Sequence, residues 1–361
     1  MIEKVLRIST MIAVFLAIAF TVSLVYLPNL YQYEKEKQME RNRQLAMIDE
    51  LEEMSGLELL NYNNETAESL AEDVNFPQQL RMSLPDDTTE EDVTCTTDEM
   101  AHTASVFIPN ADAQYLYLYP IVGKSDDIEE LNYHTTEGGG VVEITLNRVF
   151  EVEKTYADGY LYLDFVSPSE VYDKIIVIDA GHGGSAPGAV IRGNYEKDID
   201  LAIVLQLKQM AEQLDVNWGF YYTRLDDSNP SLEERVELAN ELQADLFLSV
   251  HNNTTSSGRT SDTNGTCVLY NVSDGEETYS SKNFAQICLE EVTAALGSNS
   301  QGLVDGDDIY IVRNAQMPVA LIEVGFMTNK EELANLGTEE YQKQAAQGML
   351  NAIVRAMEAG Y

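Results

Sequence analysis

Four residues of this chain have the types and surroundings that chemistry needs: His182, Glu196, His251 and Glu323. The histidines close the runs IVIDAGHGG and LFLSVHNN, and Glu323 sits in VALIEVGF. Each segment is a short apolar run that ends at, or just short of, a reactive polar side chain. A parallel α/β sheet presents a site in this way, at the carboxyl ends of its strands. Two histidines and a glutamate supply three ligands to a single zinc ion and leave a position for water. A further glutamate can serve as the base. The pattern therefore points to zinc hydrolase chemistry, with His182, Glu196 and His251 on the metal and Glu323 moving the proton.

Each residue also has an ordinary reading. A lone histidine is commonly structural, and glycine turns such as Gly181 to Gly184 also cradle phosphates. However, neither G-x-G-x-x-G nor G-x-x-x-x-G-K-[ST] occurs here. Glu196 opens a helix, where the dipole favours an acidic residue anyway. Glu323 could pair with a buried arginine. The combination outweighs these readings. The chain has 4 histidines, and two of them finish apolar strands in one region, whereas His102 and His134 show no such placement.

The elements that must position these residues begin near residue 174. Strands are expected at 175–179, 218–223, 246–250, 266–270, 309–312 and 319–322, and helices at 197–214, 232–242, 279–296 and 339–357. Ser231 followed by Glu234 forms a capping box signal. The alternation predicts an α/β fold with a mixed, mostly parallel sheet and helices on both faces. It is preceded by a small β-rich module and an N-terminal transmembrane helix.

Residues 8–27 carry no charge and are long enough to span a bilayer. They lack a small-residue cleavage site, which favours an uncleaved signal anchor over a cleaved leader. Lysines and arginines flank both ends, so charge does not set the orientation. The expected division is an anchor at 1–30, a charged helical stalk at 31–60, an acidic linker at 61–100, a β-rich module at 101–171 and a catalytic domain at 172–361. The linker holds eleven acidic residues against one basic residue, Arg81, and so reads as an extended tether. In the β module, strand-like runs lie at 105–108, 114–119, 141–146 and 160–165, with a hairpin turn at Asp158-Gly159.

The chain has 361 residues, 22 Lys+Arg and 61 Asp+Glu, for a net charge of −39. That balance repels phosphate backbones and argues against a nucleic-acid partner. Three cysteines, Cys95, Cys267 and Cys288, have no metal-ligand spacing. Two buried thiols at 267 and 288 are favoured over a bridge between them.

The blocks IVIDAGHGG-x-x-P-GAV, YEKDIDL, SLEERVELAN, LFLSVHNN and YIVRNAQMPVALIEVGFMTN together resemble the zinc-dependent N-acetylmuramoyl-L-alanine amidases of type 3. The resemblance runs from about residue 174 to the C-terminus. It implies cleavage of the amide between N-acetylmuramic acid and L-alanine in peptidoglycan, at an extracytoplasmic location. It places His182, Glu196 and His251 on the zinc ligands and Glu323 on the catalytic glutamate. Arg313 and Asn253 fall near substrate-holding positions. The family commonly has His-Ala-Asn where this chain has His251-Asn252-Asn253. The loop at 252–265 is too short for the inhibitory helix of some members, which implies an open site. The resemblance names no protein activator. The β module resembles AMIN-type wall-targeting domains. Two rival readings stay open: a non-catalytic wall-binding protein with an amidase-like fold, and a zinc peptidase cutting within the stem peptide.

Overall fold

The structure, a computed structural model, describes residues 2–69, 76–85, 88–124, 126–275 and 278–361, with the side chains of most residues between 2 and 28 left aside. Helix α1 (Ile2–Leu51) contains the uncharged run and residues 31–51 of the expected stalk, which breaks at 52–55 before the next helix. Among the described residues no helix is long and apolar enough to cross a membrane. The structure thus lends no support to the expected anchor. Most of its side chains lie outside the described residues.

The stalk and linker expectations change more. Ser55 caps α2 (Gly56–Ser69), with its backbone N–H and hydroxyl both donating to Glu58. Asn64 bonds both the N–H and the C=O of Gly123, which covers an open strand edge. Leu51, Leu59 and Leu60 enter the core of the β-rich module. Within the expected tether, β1 (Leu80–Ser83) is an interior strand. Leu80 and Met82 are fully buried, each contributing about 1.5–3 kcal/mol of apolar burial. A 3-10 turn (Glu90–Asp92) and β2 (Thr94–Asp98) follow. The acidic residues that suggested a tether are on its surface where described. Glu72, Asp73, Asp86 and Asp87 lie outside the described residues.

The module continues with β3 (Thr103–Pro109), the helical turn α3 (Tyr115–Leu118), β4 (Ile121–Gly123), β5 (Ile128–Thr136), β6 (Gly139–Leu146), β7 (Glu151–Ala157) and β8 (Tyr160–Val166). Two antiparallel four-stranded sheets, β4-β1-β8-β7 and β2-β3-β6-β5, share one core of alternating residues such as Val106, Ile144, Leu161 and Leu163. The β7–β8 hairpin turns at Asp158 (φ 52°) and Gly159 (φ 85°), the paired left-handed residues of a two-residue loop that matches strand twist. The run at 114–119, expected as strand, is α3, whose Tyr115 is buried.

After the short helix α4 (Pro168–Val171) comes the larger unit. Its strands are β9 (Lys174–Ala180), β12 (Trp218–Tyr222), β13 (Leu246–Asn253), β14 (Thr266–Tyr270), β15 (Ser300–Asp305) and β16 (Val319–Phe326). A small hairpin, β10 (Val190–Ile191) and β11 (Asn194–Tyr195), leads into α5 (Glu196–Ala211). The remaining helices are α6 (Leu232–Glu241), α7 (Ser281–Leu296), α8 (Tyr310–Asn314), α9 (Lys330–Leu336) and α10 (Glu339–Glu358). The sheet order is β12-β9-β13-β16-β14-β15. All neighbours are parallel except β14 against β16. Alternate residues feed two cores. Ile176, Ile178, Leu248 and Ile322 meet α5, α7 and α10 on one face. Ile175, Val177, Phe247 and Leu321 meet α6 and α8 on the other. The sheet is mixed and mostly parallel, with helices on both faces.

One expected strand, 309–312, is instead the helix α8; its apolar run of four residues is too short to show a period. Ile311 and Val312 are buried, and Arg313 is exposed. The segment 254–265 holds no helix. Cys95, Cys267 and Cys288 are free thiols, the last two buried.

Candidate metal centre

β9 and β13 lie side by side and deliver His182 and His251 to one edge of the sheet. The backbone there is shaped by close approach. A Cβ on Gly181 would stand 2.4 Å from His251 Cε1, so only glycine lets the two strand ends converge. His182 itself is left-handed, with φ 59°, a strained state for a residue with a side chain. Two buried arginines hold it there. Arg224 donates to the carbonyls of Ala180 (2.9 Å) and Gly181 (2.6 Å). Arg235 donates to those of Ala180 (2.7 Å) and His182 (2.6 Å).

Glu196 arrives by the β10–β11 hairpin, which turns at Arg192 and Gly193, both left-handed. The turn returns the chain so that Ala189 N–H donates to Glu196 Oε2 at 2.7 Å. Asn252 N–H donates to Oε1 at 3.1 Å. The carboxylate is thereby aimed at the histidines: Oε1 lies 3.1 Å from His182 Nε2 and 3.1 Å from His251 Nδ1. The two imidazoles stand nearly perpendicular, with ring centroids 4.8 Å apart.

Burial alone would raise the Glu196 carboxyl, but the two histidines hold it well below the usual range. Burial would lower His251; its bond to Glu196 and the charges of Asp200 and Glu323 instead raise it to about 9. Burial pushes Glu323 up to about 7, against the pull of His251 and with the Glu196 charge adding. Glu323 lies opposite His251 across β13 and β16. Its Oε2 is buried and has no partner.

The donor set fits a divalent ion. Metal bonds of about 2.0–2.2 Å in a tetrahedral site put ligand atoms about 3.3–3.6 Å apart, close to the 3.1 Å separations observed. Asp200, one turn beyond Glu196, joins the group: donor atoms of His182, Glu196, Asp200 and His251 all lie within 4.8 Å of one another. The sequence reading passed over Asp200, although its spacing of four from Glu196 puts both carboxylates on one helix face. Asn252, the departure from His-Ala-Asn, gives its side-chain N–H to Asp200 at 2.7 Å.

The structure brings His182, Glu196 and His251 together and places Glu323 beside them, outside the donor group. It does not bring Arg313 to them. That guanidinium donates to the Asp307 carbonyl at 2.9 Å on an exposed surface, because α8 turns it away from the core. Asn253 bonds Cys267 Sγ at 3.5 Å. A cavity of about 380 Å³ opens beside the histidines, lined also by Asn229, Pro230, Leu232 and Ile311.

Asp179, on β9 below His182, anchors this edge. It accepts from Arg235 (2.5 Å), Thr223 (2.6 Å) and Ser249 (2.6 Å). Burial opposes its charge, yet Arg235 and the two hydroxyls hold its carboxyl below the ordinary value.

The arrangement agrees with comparisons to known proteins. The family model described as N-acetylmuramoyl-L-alanine amidase, Amidase_3, matches residues 176–355. An uncharacterized protein of Bacillus subtilis strain 168, YqiI, is 37% identical over 180 residues, covering 50% of this chain and 83% of that protein. The N-acetylmuramoyl-L-alanine amidase LytC of the same organism is 32% identical over 185 residues, 51% of this chain and 36% of its own length. The N-acetylmuramoyl-L-alanine amidase CwlM of Bacillus licheniformis is 30% identical over 181 residues, 50% of this chain and 68% of its own. The chain therefore spans about a third of LytC but most of YqiI. The matched segment begins on β9 and ends in α10, and so contains every residue of the cluster: through this C-terminal half, the chain belongs to the N-acetylmuramoyl-L-alanine amidase family Amidase_3.

Proposed function

We propose that the chain is a zinc-dependent N-acetylmuramoyl-L-alanine amidase that hydrolyses the amide joining the lactyl group of N-acetylmuramic acid to L-alanine of the peptidoglycan stem. The observation that carries this is the convergence of His182 Nε2 and His251 Nδ1 on Glu196 Oε1, each at 3.1 Å, with Glu323 on the next strand. His182, Glu196 and His251 would hold the ion. When bound, zinc supplies a Lewis acid that polarises the scissile carbonyl and acidifies water.

The chain's own residues account for the rest. Glu323, raised to about 7, can take a proton from the attacking water and return it to the departing amine. Water adds to the carbonyl carbon, the C–N bond breaks, and a muramyl carboxylate and a free L-alanine amine result. The Asn252 and Ala189 N–H groups hold Glu196 in place, and Arg224 and Arg235 hold the His182 turn. The cavity beside the histidines leaves room for the muramyl-peptide junction.

The test is digestion of purified peptidoglycan, with products read by mass spectrometry. The expected products are glycan strands free of peptide and stem peptides that begin with L-alanine. Glu323→Ala should lower the rate by about 10²–10⁴-fold while the metal content is unchanged. Cleavage within the stem peptide, or full activity in the variant, would overturn the assignment.

We further propose that residues 8–27 anchor the chain in the cell membrane, with the catalytic half outside and facing the wall. Support comes from the uncharged length of that run and from the location of the proposed substrate. Deleting residues 1–30 is expected to free the chain from the membrane fraction; an unchanged distribution would sink the proposal.

A further inference from the structure

Leu232 is 50% exposed and shares the cavity of about 380 Å³ with His182 and His251. Ala186, Pro230 and Ile311 line the same cavity, so an alkyl patch lies beside the imidazoles. Asp179 and Arg235 are the charged groups of the lining, and they are paired with each other at 2.5 Å. Neither is left to meet a ligand's charge. The patch is also held still. Leu232 is the first residue of α6. Ser231 before it makes both capping-box bonds with Glu234, its N–H donating at 2.6 Å and its hydroxyl accepting at 3.2 Å. Arg235 donates to the Pro230 carbonyl at 3.0 Å and to the His182 carbonyl at 2.6 Å. One guanidinium thus fixes the patch relative to the His182 turn. A rigid alkyl surface at a set place beside a reacting centre can read a single carbon of a substrate.

We propose that Leu232, backed by Pro230 and Ile311, is a specificity-determining residue that receives a methyl branch on a carbon next to the scissile amide. The proposal rests on the amidase reading above and deepens it. In that substrate two such branches flank the amide: the methyl of the lactyl group on the carbonyl side and the methyl of L-alanine on the amine side. Both present the same chemistry, one apolar carbon. A short alkyl patch with its charges already paired suits that carbon better than a charged or long side chain. Burying it against Leu232 is worth about ten- to two-hundredfold in kcat/KM.

The full chain, with its metal content verified, is assayed on soluble muramyl peptides. One carries the natural junction, one has glycine in place of L-alanine, and one has an O-carboxymethyl ether in place of the lactyl ether. The unmodified chain is expected to prefer the natural junction over one analogue by about tenfold or more in kcat/KM, and the analogue that suffers identifies the methyl. Leu232→Ala should lower that preference by about tenfold. It should also gain relative rate on a substrate with an ethyl branch at the same position, whose extra carbon fits the space opened. Leu232→Phe, which narrows the space, should favour the analogue lacking the methyl and exclude the ethyl branch. A merely structural role for Leu232 would slow every substrate alike. That result would overturn the proposal, as would an unmodified chain indifferent to both analogues or a preference that both variants leave intact. Should the unmodified, metal-loaded chain cut none of the substrates, the amidase reading itself would fail, a result distinct from these.

Discussion

Gly181 sits where two metal-seeking strand ends nearly touch, and its missing side chain is what allows them to. Gly181→Ala would put a carbon 2.4 Å from His251 Cε1, so the imidazole must move. Its backbone is not left-handed, so the penalty is steric and falls on the ligand. Metal affinity is expected to drop by about 10–100-fold, with only a small change in melting temperature. Metal content after dialysis would check this, and a stoichiometric, tightly held ion in the variant would count against it. His182, His251 and Glu323 were legible in the sequence because strand-end side chains follow directly from apolar runs that stop. Glu196 was legible mainly through the resemblance. Asp200 was missed because its signal is helical: a carboxylate four residues after another, inside a helix whose start alone drew notice. Arg313 was placed by motif, and the short helix that carries it turned it toward solvent.

The pairing of α6 with β9 depends on a buried charge. Arg235 and Asp179 are 2% and 1% exposed, and the pair also holds the His182 carbonyl. Arg235→Met would leave Asp179 uncompensated, at a cost of about 3–5 kcal/mol at pH 7. The sign with pH follows from the carboxyl. In the native chain Asp179 is held below its ordinary value. Its contribution is therefore fully present above the unfolded pKa of about 3.9 and is lost as pH falls through the lower folded value. In the variant, burial acts without the cation, so the deficit should shrink as pH falls toward 4. Urea unfolding at pH 7 and pH 5 would show this, and a deficit equal at both would refute it. Elements with a strong period or a cap were legible: α6 begins after Ser231, whose capping box with Glu234 is present. β15 and α8 were not. The first is a mostly exposed strand of mixed polarity, the second a five-residue helix whose apolar run at 309–312 fits either structure.

Composition misled where it was averaged over long segments. The segment 61–100 is acidic overall, but Leu80 and Met82 alternate inward through it and build an interior strand. The β-rich module and the larger unit also meet: Val149 N–H donates to Glu241 at 2.6 Å, and His102 Nε2 lies 3.3 Å from the same side chain. Leu51, at the end of α1, is packed inside the module core, so that helix is not hinged on a loose leash. From residue 28 to residue 51 it extends about 36 Å at 1.5 Å per residue. Whatever surface grips the beginning of α1 would thus hold the enzyme at a set standoff, on a strut rather than a line. The bonds within its reach would then form a layer of defined height instead of a sphere.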